Sequence, residues 1–237
     1  MRPRLLDLFC GAGGAAVGYH RAGFDVVGVD IAPRPRYPFP FVQGDALTFD
    51  LDGFDAIHAS PPCQAFSVTR HAHTVDHPDL LTPTLARLEA VTVPWVVENV
   101  PGAPLVNAVV LCGASFGLVA VDGDGRPLVL RRHRLFASNV AHLVPPCACA
   151  TYRRAGVAVG GVYGGGSSDR NHAREVRRGG YTPHNAVRRD LLGVDWPATM
   201  HELSQMIPPA YTEHLGAGLL AALGLPARPG VVMGDPL

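Results

Sequence analysis

The chain has 237 residues, 47% apolar and 17% charged, with twenty basic and twenty acidic side chains for a formal net charge of zero. That length and apolar share support one large domain with at most a small second lobe, and exclude a disordered chain. No apolar run reaches the ~20 residues that span a bilayer, and Met1 to Asp7 lacks the long apolar segment of a signal peptide, so a soluble intracellular (cytoplasmic) protein with no membrane partner is expected.

Residues 1–100 alternate strand-like and helix-like segments. Strands are predicted at Arg4–Phe9, Asp25–Asp30, Phe41–Val42, Phe54–Ala59 and Val93–Glu98, with helices at Ala15–Ala22 and Pro83–Ala90. Such alternation implies a doubly wound sheet of largely parallel strands. Apolar segments follow at Val109–Leu111, Leu118–Val121 and Leu128–Leu130, with Asp122-Gly123-Asp124-Gly125 as a hairpin turn between the last two. Residues 140–184 lose this periodicity and become rich in Gly, Arg, Pro and Cys. Helical pattern returns over 185–223, with Pro208-Pro209 opening the final helix. The expected organisation is a domain over 1–139, a small irregular lobe over 140–184, C-terminal helices over 185–225 that return to the first domain, and a tail over 226–237.

All twenty basic residues are arginine. Residues 131–190 hold eleven of them against Asp169, Glu175 and Asp190, a net of +8, and the remainder of the chain carries −8. A block that basic in an otherwise acidic chain is a footprint for a polyanion. The five cysteines, an odd number without a secretory signal, read as reduced thiols.

Four motifs carry chemistry. Asp7-Leu8-Phe9-Cys10-Gly11-Ala12-Gly13-Gly14 is a glycine turn between the first strand and helix, where the backbone can approach a ligand closely. Asp30 ends the second strand, the place of an acid that binds ribose hydroxyls, and Asp45 follows the third. The glycine pattern fits a dinucleotide site only loosely, and Asp7 would face an anionic pyrophosphate. A cationic cofactor such as S-adenosylmethionine suits that carboxylate better. Second, Cys63 lies in Ser60-Pro61-Pro62-Cys63-Gln64 directly after a strand. The two prolines stop both sheet and helix, so the thiol is presented at a fixed turn on the sheet edge where ligands bind. It is a candidate nucleophile, activated where helix N-termini or arginines lower its pKa. Third, Glu98 closes an apolar strand, where burial raises a carboxyl pKa and lets it donate to a ring nitrogen. Fourth, Arg132 and Arg134, two apart on an expected strand, would share one face and grip a phosphate or base carbonyl.

Taken in order, Asp7–Gly14, Asp30, Asp45, Pro61-Pro62-Cys63-Gln64, Glu98-Asn99-Val100, Arg132-x-Arg134 and Ile207-Pro208-Pro209-Ala210-Tyr211-Thr212 resemble the cytosine-C5 DNA methyltransferases. The resemblance implies a Rossmann-like S-adenosylmethionine-dependent domain of mixed α/β sheet with a small target-recognition lobe. It implies double-stranded DNA as partner, a flipped cytosine and S-adenosylhomocysteine as product; a monomer is expected, and so compact a form suits a prokaryotic, phage or mobile-element enzyme. Cys63, Glu98, Arg132 and Arg134 would then be catalytic. Asp7, Phe9, Gly11, Gly13, Asp30, Ile31, Asp45, Ala46 and Pro62 would hold the cofactor. Gln64, Ser67, Arg153, Arg154, Tyr163, Arg170 and Arg174 would face DNA. The chain departs from the family in Leu130, where a glutamine is frequent, in Gly216-Ala217 for the usual Gly-Asn, and in a recognition region of about 45 residues. Cys147-x-Cys149 with His142, His172 and His184 has no standard zinc spacing, so these are expected to be ordinary loop residues and no metal is assigned. An RNA cytosine-C5 methyltransferase, a catalytically silent nucleic-acid-binding protein and a dinucleotide oxidoreductase are the competing readings.

Overall fold

The structure is a computed structural model that describes residues 1–66, 77–162, 182–196 and 198–226. Strand β1 (Arg4–Leu8) turns into helix α1 (Gly14–Ala22). Then come β2 (Asp25–Asp30), β3 (Phe41–Gln43), β4 (Ala56–Ala59), α2 (Leu81–Glu89) and β5 (Trp95–Asn99). The second half gives β6 (Val109–Leu111), β7 (Val119–Val121), β8 (Pro127–Leu130), β9 (Arg134–Ser138), α3 (Cys149–Arg154) and β10 (Ala158–Gly160). Three helices close the described chain, α4 (Asn185–Leu192), α5 (Met200–Gln205) and α6 (Pro209–Ala222). No helix among the described residues is long and apolar enough to cross a membrane.

Seven strands form one sheet in the order β3-β2-β1-β4-β5-β9-β6. The first five are parallel, and β9 runs antiparallel to both β5 and β6. Helices cover both faces, so β1, β4 and β5 read as almost continuous apolar runs. Successive residues still serve opposite faces. Leu5, Ala56 and Val96 pack with Tyr19, Phe24, Tyr211 and Leu215, on the side of α1 and α6. Leu6, Ile57 and Val97 pack with Leu81 and Leu88 of α2 on the other.

The strand order reverses between β1 and β4. A crevice opens there at the carboxyl ends of the strands, the place where doubly wound sheets bind ligands. A second sheet, in the order β10-β8-β7, stands beside the first. It draws strands from both sides of residue 140, and α4 packs on it through Val187, Leu191 and Leu192 against Leu128 and Leu130. The described part of the segment expected to be irregular thus holds α3 and β10, elements too short for periodicity to reveal. The strand expected to carry both Arg132 and Arg134 begins only at Arg134. Arg131 N–H still donates to Gly160 O of the small sheet at 2.8 Å, so the chain changes sheets across residues 132 and 133.

Helix α1 lies very close to the start of α6. A Cβ on Gly14 would collide with Ile207 O and Met206, and one on Gly18 with Thr212 Oγ1, Pro209 O and Glu213 N. Thr212 Oγ1 donates to Ala15 O at 2.9 Å across this seam. Because two of the three neighbours of Gly18 are backbone atoms, Gly18→Ala should destabilise the fold by about 1–3 kcal/mol, the cost of overpacking. Gly123→Ala, where nothing lies within 4 Å, should be near neutral. Urea unfolding midpoints of the two variants test the pair, and equal midpoints would contradict the close seam.

Candidate active site

A cavity of about 470 Å³ occupies the crevice between β1 and β4, within the ~300–1,000 Å³ of small-molecule sites. The glycine turn forms one wall. Phe9 and Gly11 both adopt left-handed backbone, φ 56° and 53°, and this turns the chain away from β1 toward α1. Asp30 locks the turn. Its Oδ2 accepts Gly11 N–H at 3.0 Å, while its Oδ1 accepts Ala32 N–H and the Arg34 guanidinium, both at 3.0 Å. A carboxylate has about four acceptor positions, so one remains for a ligand.

Asp7 sits beneath the turn, fully buried. Tyr37 reaches it because Gly28 on β2 leaves room for the ring, and the Tyr37 hydroxyl donates to Asp7 Oδ2 at 3.1 Å. Burial, with the charge of Asp30 added, pushes the Asp7 carboxyl up to about 8 in spite of that hydrogen bond. Asp7 therefore carries its proton at neutral pH until a cation approaches. Its Oδ1, Arg34 Nε and Gln64 Oε1 are buried without hydrogen-bond partners, and all three residues line this cavity. Buried polar atoms are nearly always satisfied, so three orphans on one cavity point to a polar ligand.

The opposite wall holds Cys63. The Asn99 side chain, fully buried at the end of β5, donates from Nδ2 to Pro61 O at 3.1 Å, and Ser60 N–H donates to Leu8 O at 3.1 Å. These bonds pin the Pro-Pro turn to β5 and β1, and the half-buried thiol follows it. Burial first and the Glu98 charge second push the Cys63 thiol above its ordinary value, and Arg134 offsets them only in part. The expected lowering by nearby arginine is thus reversed.

Glu98 is 7% exposed, and its Oε1 receives Arg134 Nε at 2.9 Å. The antiparallel pairing of β5 with β9, Glu98 opposite Phe136 and Asn99 opposite Leu135, delivers this contact. Burial raises the Glu98 carboxyl, as expected, although Arg134, Arg132 and a hydrogen bond from Ser60 hold it back. A buried chain stands behind Ser60. Tyr19 OH meets His58 Nδ1 at 3.0 Å, and His58 Nε2 meets Ser60 Oγ at 2.7 Å. Burial pushes His58 down to about 3, so the ring is neutral. Every group is satisfied if Tyr19 donates to Nδ1, Nε2–H donates to Ser60, and Ser60 donates to Glu98.

Of the residues the sequence nominated, Cys63, Glu98, Arg134, Asp7, Phe9, Gly11, Asp30, Ile31, Asp45, Ala46, Pro62 and Gln64 all line the cavity. Arg132 and Gly13 do not. Arg132 is 1% exposed and spends its guanidinium on the carbonyls of Val162 and Ser204, because the chain at this point leaves one sheet for the other instead of running as a strand beside Arg134. Gly13 has φ 88° and faces Pro38, so its part is to make the turn, and Gly14 lines the cavity in its place. Arg153 and Arg154 are exposed in the last turn of α3. Ser67, Tyr163, Arg170 and Arg174 lie outside the described residues. Arg188 is fully buried and donates to Pro183 O at 2.5 Å, so two arginines of the basic block serve the interior. Sequence reasoning missed Arg34, Ser60, and the α5 wall of His201, Glu202, Gln205 and Met206. Glu202 receives Arg36 through two bonds of 3.1 and 2.9 Å, which tie α5 to the segment between β2 and β3.

Residues 3–104 match the family model for C-5 cytosine-specific DNA methylase. This stretch, about two fifths of the chain, is similar to the cytosine-C5 methyltransferases. The chain is 32% identical over 124 residues to the Type II methyltransferase M.AquIA of Picosynechococcus sp., and 33% identical over 122 residues to the Type II methyltransferase M.XorII of Xanthomonas oryzae pv. oryzae. Each match takes in 43% of this chain, but only 50% of the first relative and 29% of the second, so the chain spans half or less of the curated relatives it matches. The fold extends further. A DNA modification methyltransferase encoded in an E. coli prophage superposes with a TM-score of 0.57 at 14% identity, covering 94% of this chain and 99% of that one. S. pombe Dnmt2 methyltransferase gives 0.58 at 13%, covering 95% and 100%. Removal of the negative charge in Glu98→Gln should move the pH midpoint of Cys63 alkylation by iodoacetamide downward. Peptide mass spectrometry across a pH series reads it, and an unchanged or higher midpoint would contradict the coupling.

Proposed function

We propose that this cavity transfers a methyl group from S-adenosylmethionine to C5 of a cytosine in DNA. The observation that carries this reading is one cavity that holds Cys63, Glu98 and Arg134 opposite the glycine turn and Asp30. The orphaned Asp7 Oδ1 fits a cationic nucleoside, whose charge would draw the buried carboxyl toward its ionised form. Asp7, Phe9, Gly11, Asp30, Ile31, Asp45, Ala46 and Pro62 would hold S-adenosylmethionine, which when bound supplies the methyl group.

Cytosine C5 is a weak nucleophile, and the chain's own residues make it a stronger one. Cys63 Sγ, as thiolate, forms a bond to C6, while the C5–C6 double-bond electrons shift toward C5 and N3 accepts a proton from Glu98. Arg134, paired to Glu98, stabilises the charge that develops near O2. Once C5 is methylated, its proton leaves to base, the S–C6 bond breaks, N3 returns its proton, and the thiol and an aromatic ring are restored. The charge of Glu98 is one cause of the raised Cys63 thiol. With the proton on Glu98, the opposing charge is gone and Arg134 favours the thiolate, and this distribution is the reactive one. The base must leave the duplex to reach the cavity. Arg153 and Arg154 would meet the phosphates. The likeness to Type II methyltransferases supports DNA as substrate and a restriction-modification setting.

The test is a duplex that carries 5-fluorocytosine, whose C5–F bond blocks elimination. Incubated with S-adenosylmethionine, the protein should give a denaturant-resistant adduct on the Cys63 peptide, and Cys63→Ala should give none. Label found in N4-methylcytosine or N6-methyladenine, or full activity of Cys63→Ala, overturns the proposal. Label in RNA alone favours the RNA reading, and absence of both label and adduct favours a silent nucleic-acid-binding protein.

A further inference from the structure

Away from the cavity, four side chains from three distant segments converge. Cys112 follows β6, His133 precedes β9, and Cys147 and Cys149 lie at the entry to α3. Their Sγ and imidazole nitrogen atoms all lie within 4.8 Å of one another. Cys112 Sγ is 3.4 Å from Cys149 Sγ, and His133 Nε2 is 3.3 Å from Cys147 Sγ. We propose that these residues form a structural zinc site.

The geometry and the chemistry agree. Zinc bonds of ~2.3 Å to sulfur and ~2.0–2.1 Å to nitrogen in a tetrahedron imply edges of roughly 3.8 Å between two sulfurs and roughly 3.6 Å between sulfur and nitrogen, and the separations of 3.4 and 3.3 Å lie within a few tenths of an ångström of them. Three thiols and an imidazole, with no carboxylate in the cluster, select a soft-ligand metal over magnesium or calcium. Four protein ligands leave no position open, which marks a structural and not a catalytic site. Cys112 and Cys149 are buried among Ala114, Val129 and Val159, while His133 is half-buried and Cys147 exposed, so one side is a dry wall and the other an entry path. Cys112 and Cys149 are close but not bonded, since all five cysteines are free. Metal capture would deprotonate the three thiols, three protons leaving as one zinc enters.

The partners differ from those the spacing suggested. His142 Nε2 faces Ser138 Oγ at 3.2 Å, and His184 precedes α4 as its N-cap, so neither joins Cys147 and Cys149. His172 lies outside the described residues. What the ligands do join is informative. His133 is the neighbour of Arg134, and its carbonyl accepts Arg134 NH1 at 3.0 Å. A metal at this point fixes the segment that presents Arg134 to Glu98, and ties the edge of the large sheet to α3 and the small sheet.

The full chain, purified with reductant and without chelator, should contain about one zinc per chain by elemental analysis. Reconstitution with cobalt(II) should give the visible bands of a tetrahedral thiolate site. Cys147→Ser, at an exposed position that does not disturb the core, should hold zinc at least about 10–100-fold more weakly against a competing chelator, the range seen when even an outer partner is lost. Cys10→Ser should hold it as the parent does. Three results would overturn the site. One is reduced protein that lacks zinc and shows no cobalt bands. Another is Cys147→Ser with unchanged zinc affinity. The third is a Cys112–Cys149 disulfide found by peptide mass in the protein as purified, which would replace the metal reading. None of these outcomes depends on methyl transfer.

Discussion

The ion pair between Arg134 and Glu98 governs the geometry around it. Both side chains are largely removed from water, and a buried carboxylate without a partner is among the costliest things a fold can contain. The pair exists because β9 enters the sheet antiparallel to β5, and much of the surrounding structure serves that entry. Tyr211 of α6 donates to Arg132 O at 2.6 Å, and the Arg132 guanidinium holds Val162 and Ser204 in turn. Arg132 is thus a foundation for Arg134 instead of its twin. A guanidinium suits that place, since its rigid fork reaches two carbonyls at once.

The site separates two electrostatic problems. Around the glycine turn, Asp7 and Asp30 are close enough to disfavour each other, and the fold resolves this by giving Asp30 a guanidinium and two amides while leaving Asp7 protonated. Around Cys63, thiol and carboxyl compete for one arginine. Each half is incompletely satisfied in the free protein, and each is left so by orphaned or raised groups that a ligand of the right charge would relieve. The line Tyr19–His58–Ser60 anchors the second half from the far side of the sheet. It keeps a neutral imidazole between two hydroxyls, so Glu98 meets an oriented donor where water would otherwise reorganise.

Much of this was legible in the residues. Proline pairs, glycine turns and acids at strand ends are local signals with local causes, and Asp7, Asp30, Cys63 and Glu98 arrived where their positions in the strands dictated. Most strands of the large sheet could be bounded to within a residue or two for the same reason. Arg132 misled because its spacing from Arg134 was read as a strand, whereas the chain there crosses between sheets, a fact set by the distant β10. His58 was hidden in what read as an apolar run, although a lone imidazole in a buried strand was the available signal. The α5 wall and the meeting of Cys112 with Cys149 arise from tertiary approach alone. No spacing in the sequence reports a pair of cysteines 37 residues apart.

The seam between α1 and α6 has a consequence for how the protein comes to exist. The hydrogen bond from Thr212 to Ala15 spans 197 residues. During synthesis the first strand and helix emerge well before the backbone that fits over Gly14 and Gly18. Until then Tyr19, Phe24 and Leu5 lack the lid that Tyr211, Leu215 and Leu219 provide. Such distant contacts fold slowly and leave apolar surface exposed meanwhile. The stretch of family likeness, residues 3–104, therefore cannot close its own core.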